Sequence, residues 1–112
     1  MGRDFRINHV ESTYKPVSFC MYKTLNLAGF FKDEDDSSDI IPVQKLASVI
    51  LSIDNITSDN NLSDKGFETL KFYDSETKED VRNNLIEANN RFKEALIYAV
   101  AQEEKLVSAS YL

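Results

Sequence analysis

Tryptophan is absent from this 112-residue chain, and cysteine and histidine occur once each, at Cys20 and His9. One thiol closes no internal disulfide, and one Cys with one His is too few for a structural zinc site within a single chain. A lone cysteine is the pattern of a reducing, cytoplasmic setting. Nothing in the local sequence orients His9 as a catalytic base. Cys20 falls on the apolar side of a helical pattern, where a thiol packs as a small hydrophobe. The three glycines, Gly2, Gly29 and Gly66, are isolated, so no phosphate-cradling loop or dinucleotide fingerprint can be drawn. No apolar run approaches bilayer length, and the opening residues lead into none of signal-peptide length. Neither a cofactor nor catalytic turnover is expected from these residues.

What the chain does contain is enough for one core. It is 42% apolar and 11% aromatic, and its length suits a single domain spanning residues 1–112. The net charge of −6 is unevenly placed. Residues 1–32 carry five basic groups against two acids, and the remainder carries eight against seventeen. An acidic surface keeps a protein soluble and favours a basic protein as target.

Periodicity points to a mainly α fold of three to four helices. Arg3 to Val10 alternates loosely, with Phe5 and Ile7 on one side, which predicts a short N-terminal strand or an ordered arm over 1–15. Pro16 at a helix start and Gly29 at its end bracket a helix over 17–28, with a strand as the rival reading because period two also fits. Residues 32–40 read as an acidic loop. Pro42 opens a helix over 42–54, whose apolar residues from Val43 to Ile53 cover more than half its girth and call for more than one neighbour. A loop over 57–64 precedes a short helix capped by Ser63, with Phe67, Leu70 and Tyr73 on one face. The last helix, over 77–105 and capped by Thr77 or Ser75, serves as the spine. Its seam is Val81, Leu85, Ala88, Phe92, Ala95 and Ala99, with Ile86 and Ile97 on a second flank.

A helix of that length, roughly 40 Å, outruns a domain of this size. The excess predicts a homo-oligomer or a dedicated protein partner docking on Leu85, Phe92, Leu96, Ile97, Val100 and Leu106. The alternative is that the N-terminal arm and the tail Ser108–Leu112 fold back over it. The carboxylates Asp33, Glu34, Asp35, Asp36 and Asp39 form a steering loop for a basic target. The same stretch alternates oxygen ligands like a calcium loop, but Ser38 stands where the turn needs Gly and Gln44 where a bidentate Glu closes the shell. A second functional reading uses Arg3, Arg6, Tyr14 and Lys15, basic and aromatic groups interleaved, as a site for a small anionic ligand or nucleic acid. The favoured reading is stoichiometric binding of the kind inhibitors, immunity-type proteins and adaptors perform. No membrane partner is expected.

Overall fold

The computed structural model describes residues 3–33, 35–58 and 61–112, and over them the chain is α+β: four helices laid on one face of a four-stranded antiparallel sheet. This corrects the mainly α expectation. The helices are present, and a short N-terminal strand was expected, but the sheet was not legible, because its four strands come from segments that read as arm, acidic loop and tail.

The first two strands form a hairpin. Phe5–Ile7 (β1) and Val10–Ser12 (β2) pair across a two-residue turn in which Asn8 takes φ 56. Asparagine tolerates this left-handed conformation better than most residues. Phe5 and Ile7 do share one side, and both are buried.

Lys15–Leu27 (α1) follows, with Pro16 in its first turn and Gly29 at φ 104 just beyond its end. The strand alternative for this stretch falls away. The acidic segment does not stay loop to residue 40. Ser38–Pro42 is β3, and Pro42 closes this strand instead of opening a helix. Val43–Ser58 (α2) and Asp64–Leu70 (α3) come next. Ser63 caps α3 by accepting from Gly66 N at 3.0 Å, and Tyr73 lies beyond the helix in an exposed turn.

Lys78–Ala101 (α4) is shorter than its expected 77–105. It starts at Thr77 in a reciprocal cap, with Asp80 N donating to Thr77 Oγ1 (3.1 Å) and Thr77 N to Asp80 Oδ2 (2.9 Å). It stops where Glu103 takes φ 56 and Glu104 N reaches back to Ala99 O at 2.8 Å. A left-handed residue with this back-bond is a standard helix stop, normally made by Gly. With Glu in that place the sequence carries no stop signal. At 1.5 Å per residue α4 is about 36 Å long, and its core residues run from Val81 to Ala99, so the helix is packed along nearly its whole length and does not overhang its domain.

Leu106–Tyr111 (β4) then returns along the sheet as its second interior strand. The strand order is β2-β1-β4-β3. Val107, Ala109 and Tyr111 point inward under the helices, and Leu106, Ser108 and Ser110 point outward. The whole α4 seam, Val81 through Ala99, is buried against this sheet and the other helices. Phe5 is the hub of the packing, with ring centroids 6.0 Å from Phe31 and 6.4 Å from Phe92.

Candidate functional site

Three polar links fix how α2 lies on α4. Arg82 Nε donates to Thr57 O (2.9 Å). Asn89 Nδ2 donates to Asp54 Oδ1 (2.9 Å) and to Ile50 O (3.3 Å). Lys93 Nζ sits 3.1 Å from Asp54 Oδ1. As α4 numbers rise α2 numbers fall, so the two helices run antiparallel. Leu51 stands one turn before Asp54, Ile97 one turn after Lys93, and Val100 about one turn further on. By this spacing Leu51 lies on the Asp54 flank of α2 and Ile97 and Val100 on the Lys93 flank of α4, and the three are 64%, 69% and 60% exposed. The candidate site is this strip: three exposed aliphatic groups around a neutralised Asp54–Lys93 pair, on two helices pinned to one another.

The six interface residues expected from sequence do not come together. Leu85 and Phe92 are fully buried and belong to the core, so they cannot meet a partner. Leu96 is partly buried and packs against that core. Leu106 is 56% exposed but lies on the outward face of the sheet, opposite Pro42 in register and away from the helices. Only Ile97 and Val100 share the strip. Leu51 was missed because α2, apolar over most of its girth, reads as buried on every side; one flank has no neighbour.

The β3 edge of the sheet is a poor docking surface. Val43 N donates to Lys105 O and Tyr111 N to Ser37 O, so the odd-numbered residues of β3 face β4 and the even-numbered ones face out. Of those, Pro42 has no N–H, and Ile40 N donates to Asp39 Oδ1 at 2.7 Å. That leaves Ser38 as the one residue of β3 with an outward N–H not accounted for, and a single free donor gives an added strand little hold.

The acidic segment is only partly available for steering. Asp39 Oδ2 accepts from Phe31 N (2.9 Å) and Asp36 Oδ2 from Asp33 N (3.2 Å), so these two carboxylates brace the turn. Asp33 and Asp35 are exposed, and Glu34 lies outside the described residues. Among the described residues no group of three or more His, Cys, Asp or Glu side chains is arranged to hold a metal.

The N-terminal cations do not converge on a ligand site. Arg6 pairs with Glu11 at 2.8 Å on the outward sheet face. Lys15 pairs with Asp4. Arg3 donates to Tyr111 O and lies over that residue's ring, 4.2 Å from its centroid. Tyr14 is exposed immediately before α1. Each of these three cations already has an internal partner.

Cys20 is buried, its Sγ 3.8 Å from Leu70 O. Burial, helped by the Glu76 carboxylate, pushes its thiol up to about 12. It is a packing residue at neutral pH. His9 is exposed on the hairpin turn, its ring 4.3 Å from that of Tyr98. No helix among the described residues is long and apolar enough to cross a membrane.

Comparison with protein-family models, with curated proteins and with solved structures finds no match to this chain.

Proposed function

We propose that this protein acts by stoichiometric association with another polypeptide rather than by turnover, and that the first such polypeptide is a second copy of itself. The observation that carries the reading is the strip of Leu51, Ile97 and Val100, all more than half exposed on helices held rigid by Asp54, Asn89 and Lys93. Exposed aliphatic groups on two helices fixed to one another are candidates for an interface core. The charge pattern favours a two-fold contact. The chain carries −6 overall, which makes copies repel, but the Asp54–Lys93 pair beside these aliphatic groups is neutralised internally, which lowers the charge a self-contact must bury.

On this reading the biological role is that of an inhibitor, an immunity-type protein or an adaptor in a reducing, cytoplasmic setting. A basic target fits its remaining acidic surface, of which Asp33 and Asp35 are the exposed loop members. The test is methyl and amide NMR of the protein at rising concentration. The expected result is shifts and broadening at Leu51, Ile97 and Val100, absent in Ile97→Asp. Concentration-independent spectra at these positions would remove the self-association reading.

A further inference from the structure

We infer that a second surface, the groove between α1, α2 and α3, receives an acidic amphipathic helix from a partner protein. Two adjoining hollows of about 350 and 400 Å³ share Leu27, Ile56 and Leu70 and so form one channel. Its apolar lining continues through Val49, Ile53 and Leu62. This surface faces away from the Leu51–Ile97 strip: on α2, Val49 and Ile56 stand across the helix from Leu51.

Charge identifies the occupant's sign. Lys45 lines one end of the channel and Lys65 the other. No carboxylate among the described residues lines it, in a chain with 19 acids and 13 bases. Neither lysine is paired with a carboxylate of a described residue. A groove that is apolar along its floor and cationic at its ends suits an occupant that is apolar on one face and acidic on the other.

Geometry identifies the occupant's backbone. The channel is walled by helices and their connections, so it offers no strand edge to an extended peptide. A segment seated there must satisfy its own backbone groups, as a helix does. From Lys45 to Ile56 the channel follows α2 for roughly 16 Å, about three helical turns. It also lies open to solvent along its length, which suits a helix with one wet face and would leave an acyl chain half exposed.

The experiment uses the full-length protein and a synthetic three-turn peptide with leucine on one face and glutamate on the other, followed by amide NMR shifts. The expected result is saturable shifts at Leu27, Val49, Ile56 and Leu70. A Lys45→Glu/Lys65→Glu double variant should bind about tenfold or more weakly, and Leu27→Glu should abolish the shifts. Both variants change exposed side chains, so the fold persists. Ile97→Asp should bind the peptide normally, which separates this inference from the strip. Equal binding of the lysine counterpart of the peptide would overturn the inference. So would shifts confined to other surfaces, loss of binding in Ile97→Asp, or response to dodecanoate and not to the peptide.

Discussion

Asn89 Nδ2 reaches Asp54 Oδ1 at 2.9 Å while the Oδ1 of Asn89 itself, buried between α2 and α4, has no hydrogen-bond partner among the described residues. The amide is therefore held from one end only, and Asp54 is the group that holds it. Asp54→Ala leaves a buried donor with the longer bond to Ile50 O alone, and should cost about 1–3 kcal/mol in urea unfolding. Lys93→Ala removes only the half-exposed partner of the same carboxylate and should cost about 1 kcal/mol or less. Equal losses for the two variants would contradict this division of roles.

Glu103 ends α4 in a left-handed conformation that costs a side-chain-bearing residue roughly 1 kcal/mol. Glu103→Gly removes that cost at an exposed position where no hydrogen bond of the side chain is seen. Thermal unfolding should move upward, by up to about 0.5 kcal/mol of added stability after glycine's larger chain entropy is counted. A lowered melting temperature would show that the turn is not strained.

Two residues once grouped as one interface should separate cleanly. Phe92 is buried beneath Phe5, and Phe92→Ala should destabilise the fold by about 3–5 kcal/mol. Ile97 stands in water, and Ile97→Asp should change monomer stability by no more than about 0.5 kcal/mol. Denaturation of dilute protein checks both.

The Cys20 thiol, raised from 9.0 to about 12, ties stability to alkaline pH. The folded state keeps this proton after the unfolded state has lost it. The stabilisation is complete below about pH 9 and disappears as pH rises toward 12. Unfolding free energy should decline across that window, and the decline should be smaller in Cys20→Ala. The native thiol should also resist alkylation at pH 8 and react once the protein is unfolded in urea.

The parts of this fold legible in the sequence were those with repeated spacing. The α4 seam repeats over five turns, and every one of its six residues is in the core. Pro16, Gly29 and Thr77 marked ends because each has a specific backbone role. Alternation at Phe5 and Ile7 pointed to β1 as a short strand or arm, but the rest of the sheet was hidden because β2 holds only three residues and β3 lies in a segment that reads as acidic loop. β4 was hidden because Glu103, not Gly, makes the turn that releases it from the helix. That one omission turned a returning strand into an imagined overhang, and it placed Leu106 beside Ile97 when the sheet lies between them. The site was half legible for a related reason. Helical spacing shows that α4 has a second apolar flank, but not which positions on α2 stand beside it; the Asp54–Lys93 and Asp54–Asn89 contacts decide that.

The most direct measurement is native mass by light scattering across protein concentration, on the unmodified chain and on Leu51→Asp/Ile97→Asp. The mass should climb from monomer toward dimer in the unmodified chain and stay at monomer in the double variant. A monomer at every concentration, or a dimer that the double variant leaves intact, would contradict it.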